Sequence, residues 1–356
     1  MRRILTPKAK AWLERSVEIK EIETSIFQMN PDKAPGPDGF NAFFFQKNWE
    51  IVKDSVIQAV LHFFRTGRIL KQLNHTFLTL IPKTNEASSL TDYRPISCCN
   101  VVYKIISKIL SNRLKMVVGE LISLNQRAFF LKGDRLENAM LAHELIRDFN
   151  KMHRRRACIK VDLQKAFDSI NREFICYMMH CMNFPTKWIS WNLECLSTSF
   201  SVLVNGSPTG FFGSNRGVRQ GDPLSPYIFV LMMEFWSIKI ELATESGIIQ
   251  NFKRSSDLQV SHLLFADDLL LFCRTNKQSL IGANDLLNEL AFNTGLSINR
   301  SKSNFFSKGC SEDKVLSDIL DIAVPVKYLG LPLTVDYPKA KYFSHLIDKL
   351  RAKLDG

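Results

Sequence analysis

The stretch Ser261–Arg274, SHLLFADDLLLFCR, sets two adjacent aspartates, Asp267 and Asp268, between two apolar runs. Leu263, Leu264 and Phe265 precede them; Leu269, Leu270, Leu271 and Phe272 follow. Each run has the length and make-up of a short strand buried by a sheet, so the stretch predicts a hairpin with acids at its tip. Two like charges on a buried hairpin are costly unless something neutralises them. A divalent cation does so, because hard Mg²⁺ prefers carboxylate oxygens. A solvated turn carrying two aspartates is the plainer reading. A second acidic stretch decides against it.

That stretch is ACIKVDLQKAFDSI, residues 157–170. Ile159, Val161 and Leu163 mark a strand, and Asp162 falls inside it on the opposite face. An acid within a β run is a local inconsistency of the kind that marks functional sites. A third carboxylate beside the Asp267-Asp268 tip makes a two-metal site for phosphoryl transfer.

The size and charge of the chain fit such chemistry. Its 356 residues allow two or three subdomains around a large core. The formal net charge of +12 favours a polyanionic partner, nucleic acid before a membrane surface. None of the eight cysteines forms a CxxC pair, which predicts core thiols in a reducing compartment and not disulfides or zinc. The N-terminus, MRRILTPKAKAWLERS, lacks the apolar region of a secretory signal, and no apolar run is long enough to span a membrane. These features predict an intracellular protein, nuclear and cytoplasmic.

Periodicity and turn residues predict the elements in between. A helix is expected from a Ser16 cap to about Met29, followed by the Pro- and Gly-rich loop at residues 30–40 and a helix over Phe44–Arg65 stopped by Gly67. TFLTLIPK reads as a strand ending at Lys83; a polar loop and TDYRPIS follow, then a helix over about Tyr103–Val118. Further helices are expected over Leu136–Lys151, Arg172–Met182, Thr186–Thr198, Tyr227–Ala243 and Gln278–Thr294. The run His153-Arg154-Arg155-Arg156 reads as a solvated face or a binding patch. FSVLVNGSPTGFF reads as a hairpin turning at Asn205-Gly206. A strand carrying Lys302, a strand pair at residues 326–333 and a last helix from about Ala340 complete the chain, which reads as a segment of something longer.

Seven runs, taken together, resemble the reverse transcriptase domain of LINE-type non-LTR retrotransposons, the plant kind most closely. They are KAPGPDGF, LIPKTNEASSLTDYRPIS, IKVDLQKAFDSI, GVRQGDPLSP, FADDLLLF, GLSINRSKS and YLGLPL. They follow the family's order and spacing from about residue 30 to 335. The resemblance implies an α+β right-hand polymerase with fingers, an antiparallel palm sheet and the start of a thumb. It implies an N-terminal helical extension at 1–77 and a reverse transcriptase domain at 78–335. Within that domain the fingers fall at about 78–156, the palm at about 157–325 and a primer grip at about 326–333. The beginning of a thumb follows at 336–356.

The resemblance also assigns residues. Asp162 and Asp267 are implied as the metal-binding aspartates, and Asp268 as the remaining acid of the catalytic turn. Lys83 and Arg94 are implied to grip the triphosphate of the incoming nucleotide, as a point charge and a bidentate fork. Phe167, five residues after Asp162, matches an aromatic steric gate that excludes a ribose 2′-hydroxyl; an ordinary core phenylalanine is the alternative. Gln220 matches the residue packing under the nucleotide and template base, with glycines letting backbone approach the ligand. Lys302 matches the lysine proposed to protonate pyrophosphate; a surface lysine is its alternative. In AFFLKGDRLENAML, Asp134 separates Gly133 from Arg135 where the family has a basic residue, so that segment carries no role. Activities of the family's endonuclease, Cys/His knuckle and RNase H modules are not carried over.

The implied reaction is RNA-templated DNA synthesis, a primer 3′-hydroxyl attacking the α-phosphorus of a dNTP with two Mg²⁺ ions, or Mn²⁺ in their place. The implied partners are an RNA template, a DNA primer and dNTPs, without a membrane. Two other readings are a remnant that binds RNA without polymerising and an RNA-dependent RNA polymerase. The intact acidic triad opposes the first; Phe167 and RQGDPLSP oppose the second.

Overall fold

The structure, a computed structural model, describes residues 3–126, 135–147, 149, 156–251, 260–308, 326–333 and scattered positions after 341. The basic run before Arg156, residues 127–134, Cys310 and much of the helix expected from Ala340 lie outside the described residues. The strands are β1 (Thr76–Pro82), β2 (Tyr93–Cys99), β3 (Arg156–Val161), β4 (Leu163–Gln164), β5 (Ser199–Val204) and β6 (Ser207–Gly213). They continue as β7 (His262–Phe265), β8 (Asp268–Arg274), β9 (Ser297–Ile298), β10 (Asn304–Lys308), β11 (Val326–Tyr328) and β12 (Leu331–Leu333). Helices alternate with antiparallel-rich sheets, which is the α+β class expected. Residues 1–122 with 167–232 form one compact unit, and residues 123–166 with 233–356 form another.

In the first unit one sheet runs β2-β1-β5-β6, with β1 and β5 parallel and the other pairs antiparallel. The β5–β6 hairpin turns at Asn205 and Gly206, both at positive φ, as its two-residue loop demands. Strand β2 takes in most of TDYRPIS, a run for which the sequence pattern predicts no element. Pro95 lacks an N–H and argues against a strand, but β2 lies at the sheet edge, where one donor can be spared.

The N-terminal region also differs. A helix at Pro7–Glu14 opens the chain, capped by Thr6, whose hydroxyl accepts the Ala9 N–H. The next helix starts at Ile19, not at a Ser16 cap; Glu18 and Glu21 form its capping box. The expected helix over residues 44–65 is two helices, Ala42–Lys47 and Trp49–Thr66, the first capped by Asn41.

The second unit is built on the antiparallel sheet β10-β3-β8-β7. Leu269–Cys273 in β8 are all fully buried, which explains why that strand is apolar without alternation. On one face Cys158, Leu263, Leu270, Phe272 and Phe306 pack with Ala142 and Ile146 of helix Arg135–Arg147 and with Tyr328 and Leu333 of the β11–β12 hairpin. Helix Ser225–Glu245 runs from the first unit into the second. Among the described residues no helix is long and apolar enough to cross a membrane.

Arg113, on helix Val101–Val117, holds the N-terminal segment in place. Its guanidinium is almost fully buried and donates to the carbonyls of Leu13, Arg15 and Ser16 at 3.1, 2.6 and 3.1 Å. It also grips Glu21 with both arms, at 3.1 and 2.8 Å. Burial alone would raise the Glu21 carboxyl; the Arg113 hydrogen bonds and charge outweigh it and hold the group below its ordinary range. Glu21 therefore adds stability that is present above about pH 4.5 and lost as pH falls through its folded value. Arg113→Met should destabilise the fold by about 3 kcal/mol at neutral pH. Because Glu21 loses Arg113 and keeps only the Arg15 ion pair at 3.2 Å, the variant should also lose less stability between pH 7 and pH 4 than the wild type. Urea midpoints at the two pH values test both, and equal midpoints at pH 7 would refute the clamp.

Candidate active site

In the second unit the acids gather at one end of the β3–β8 pair. Val161 pairs with Leu269 as the last step of the ladder, so Asp162 and Asp268 each stand one residue beyond it at the same end. Asp162 is not inside the strand as expected; it lies in the break between β3 and β4. A turn made by residues 299–303 causes the break. Ser303 Oγ accepts the Asp162 N–H at 3.0 Å, the Asp162 carbonyl accepts the Asn299 N–H at 2.8 Å, and the Ser303 hydroxyl donates to the Asn299 carbonyl at 2.7 Å. The backbone of Asp162 is thus satisfied outside the sheet ladder.

The β7–β8 hairpin turns at Ala266 and Asp267, between paired Phe265 and Asp268. Ala266 has φ +55°, a left-handed conformation that costs a residue with a Cβ about 1–2 kcal/mol. Its N–H is held by Gln126 Oε1 at 3.2 Å. Strain held by a buried partner at an acidic tip is the pattern of a functional turn. Asp267 is exposed, Asp162 and Asp268 are half-buried, and the Lys160 ammonium lies 4.0 Å from Asp268 Oδ1.

These carboxylates suit Mg²⁺ in kind: hard oxygen donors at a strained, solvent-reached turn. Among the described residues no group of three or more His, Cys, Asp or Glu side chains is arranged to hold a metal by itself. That fits a cation held by one or two carboxylates and completed by water and phosphate.

The triphosphate candidates lie in the first unit. Lys83 follows the last residue of β1, its N–H bonded to the Asp92 carbonyl at 2.8 Å and its ammonium to the Thr91 carbonyl at 2.6 Å. Arg94 is exposed on β2 opposite Ile81, two ladder steps from Lys83. The two cations therefore share one end of one hairpin.

Phe167 and Gln220 are brought together through backbone. The Phe167 carbonyl accepts the Val218 N–H and the Ile170 carbonyl accepts the Gly217 N–H, both at 2.7 Å. Gly217 has φ +78°, and a Cβ there would lie 2.7 Å from Asp168 backbone. Gln220 Nε2 reaches both Asp168 oxygens, at 3.2 and 3.3 Å. The glycine was expected to let backbone approach a ligand; here it lets two segments of the chain approach each other. The Phe167 ring stacks on Phe229 with centroids 4.8 Å apart and planes 14° apart.

The same loop hides a feature the sequence reading missed. Arg219 and Asp222, flanking Gln220-Gly221, are buried. Arg219 donates to Asn74 Oδ1, to the Cys195 carbonyl at 2.5 Å and to Cys99 Sγ at 3.7 Å, and lies 3.9 Å over the Tyr103 ring. Asp222 accepts from Ser107 Oγ at 2.5 Å and Ser225 Oγ at 3.2 Å. Burial raises the Asp222 carboxyl despite the opposing pull of Arg219. Burial lowers Arg172 to about 10, with Arg219 adding like-charge repulsion. An arginine one residue before Gln220 and an aspartate two residues after it were the available signal, but spacing alone does not say which way the charges point.

Lys302 is exposed in the turn before β10, not in the strand as expected, because residues 299–303 close on Asp162. YLGLPL forms the β11–β12 hairpin. A cavity of about 930 Å³ lies in the first unit against Arg15, His62, Arg65, Lys187 and Trp191, and none of the expected site residues lines it. A smaller one, about 190 Å³, is bordered by Asp168, Arg172, Gly217 and Gln220. Gly217→Ala should cost at least about 2 kcal/mol, the left-handed penalty plus the overlap with Asp168. An unchanged denaturation midpoint would show that the loop is not pinned there.

Comparison with known proteins gives the same answer as the geometry. Residues 81–333 match the family model for reverse transcriptase (RNA-dependent DNA polymerase). The chain is 25% identical over 99% of its length to the transposon TX1 uncharacterized 149 kDa protein of Xenopus laevis, covering 27% of that protein. It is 27% identical over 73% of its length to a Pol polyprotein from the type-1 retrotransposable element R2 of Nasonia vitripennis, covering 24% of it. A 67-residue stretch is 45% identical to an uncharacterized mitochondrial protein of Arabidopsis thaliana, 18% of this chain and 55% of that protein. The chain thus spans about a quarter of the length of the first two of these relatives. With a family match over most of its length, the chain belongs to the reverse transcriptase family and carries the reverse transcriptase domain of a non-LTR retrotransposon.

Proposed function

We propose that this domain copies an RNA template into DNA for a LINE-type element, joining dNTPs to a primer 3′-hydroxyl. The observation that carries the reading is the β3–β8 register, which supports Asp162, Asp267 and Asp268 as one acidic site. Asp162 and Asp267 would hold Mg²⁺, which when bound neutralises charge on the reacting phosphate and favours the ionised 3′-hydroxyl. Lys83 and Arg94 bind the triphosphate, and Gln220, steadied by Asp168, supports the base. Phe167 fills the space a 2′-hydroxyl would need. Lys302 delivers a proton toward the departing pyrophosphate. The sheet β10-β3-β8-β7 serves as the palm and residues 326–333 as the primer grip.

The plant origin rests on the Arabidopsis stretch, the most identical of the relatives named; the other two come from animals. Seven free thiols among the described residues support work in a reducing, intracellular compartment, nuclear and cytoplasmic.

Primer extension on an RNA template tests the reading. Asp162→Asn should lower the extension rate by about 10²–10³-fold or more while leaving RNA binding and the thermal midpoint near wild type. Extension at the wild-type rate would remove Asp162 from the site, and RNA binding without any extension by the wild type would favour the non-polymerising remnant. Phe167→Val should lower the ratio of kcat/KM for dNTP over rNTP by about tenfold or more. An unchanged ratio in an active variant would make the Phe229 stack its whole role.

A further inference from the structure

Lys160 has no role in the family assignments above, yet it is placed between two of the elements they use. It lies on β3, opposite Leu270 of β8 and Asn304 of β10. Its neighbours on that face, Cys158, Leu263, Leu270 and Phe272, belong to the apolar core. The lysine side chain is 13% exposed. An ammonium so placed is costly unless it finds partners. It donates to the Lys327 carbonyl at 2.8 Å and lies 4.0 Å from Asp268 Oδ1. Lys327 is the middle residue of β11, in the hairpin read as primer grip, and Asp268 opens β8 at the acidic tip.

A second tie runs parallel to the first. The Tyr328 hydroxyl accepts from Asn138 Nδ2 at 3.2 Å, and the same amide group donates to the Leu264 carbonyl of β7 at 3.3 Å. The Tyr328 ring is fully buried against Leu270 and Phe272. Tyr328 thus sets the depth of the hairpin on the sheet. Lys160 adds something packing cannot: a charged link from the hairpin backbone to the acid itself.

We propose that Lys160 is a positioning residue for polymerisation, fixing the primer-grip hairpin in register with the acidic tip and offsetting the charge of Asp268. Asp268 then serves the site by anchoring this lysine, leaving Asp162 and Asp267 to the metal. This inference rests on the reverse transcriptase reading. A primer end misplaced by about 1 Å loses rate on the order of 10²-fold, so a link of this kind governs the rate more than the affinity.

Lys160→Met keeps the aliphatic stem and removes the ammonium. With primer and template bound beforehand, its single-turnover extension rate should fall by roughly 10²-fold, while primer–template Kd changes by less than about threefold. Lys160→Arg, which can reach both partners, should recover most of the rate. Hydrogen exchange of the amides at 326–333 should quicken in the Met variant, with β7 and β8 unchanged. A wild-type rate for Lys160→Met overturns the proposal. So does a parallel fall in rate, affinity and thermal midpoint that Lys160→Arg fails to recover, since that describes a core residue only. If the wild-type chain extends no primer, the parent reading fails, and exchange at 326–333 decides alone whether Lys160 fastens the hairpin.

Discussion

The second unit depends on a sheet that sets carboxylates at one end while its strand β8 is apolar and buried over Leu269–Cys273. Like charges at hydrogen-bonding distance repel strongly in a medium of low dielectric and weakly at a surface. The sheet meets this by burying Leu269–Cys273 completely, while Asp268 and Arg274 at the ends of β8 reach solvent. Rigid apolar strands fix where the acids emerge, and the turn at Ala266 fixes how they face. Gln126, holding the Ala266 N–H, and Ser303, holding the Asp162 N–H, are the supports through which the rest of the unit reaches the tip. The Lys160 ammonium lies there too, 4.0 Å from Asp268.

The first unit meets a related difficulty by a different route. Its loop at residues 217–222 must hold Gln220 steady without a rigid strand beneath it. Backbone does part of this, through Gly217 and Val218 bonded to the segment 167–170 and the Gln220 carbonyl bonded to the Ser97 N–H at 2.8 Å. Buried charge does the rest. Arg219 and Asp222 reach into the core on either side of Gln220, each with several hydrogen bonds. Removing either partner would leave the other charged and buried, which is far costlier than any surface contact. The motif's charges therefore anchor the loop, and its uncharged glutamine turns to Asp168.

What the sequence made legible follows from this division. Hairpins were legible, because their turns need particular residues: the Asn205-Gly206 turn was placed correctly, and the acidic hairpin turns one residue earlier than the expected Asp267-Asp268 tip, at Ala266 and Asp267. Acids in apolar runs were legible, because nothing in local propensity explains them. Boundaries set by tertiary contact were not. Asp162 leaves its strand because Ser303, 141 residues away, takes its N–H. Strand β2 hid behind Pro95, whose cost depends on lying at an edge, a fact about the sheet and not the segment. Arg113 read as one more basic residue of an amphipathic helix, but its partners come from residues 13–21, and no periodicity can announce them. The roles of Lys83, Arg94, Phe167, Gln220 and Lys302 came from resemblance; their geometry adds only which of them share a hairpin or a loop.

The charge of the chain gains meaning once burial is known. Net charge predicts attraction to a polyanion only if the excess lies at the surface. Among the described residues the buried arginines are Arg113, Arg156 and Arg219, and the buried acids are Asp222 and Glu234, with Glu21 largely covered as well. The interior thus takes positive and negative groups in near balance, as it must, since an unbalanced charge in the core would be expelled or neutralised. Subtracting balanced pairs leaves the formal excess of +12 almost untouched and moves it outward. The core therefore does not account for the basic excess, which stays with side chains outside it: Arg113 is drawn inward with Glu21, and Lys83 and Arg94 remain exposed.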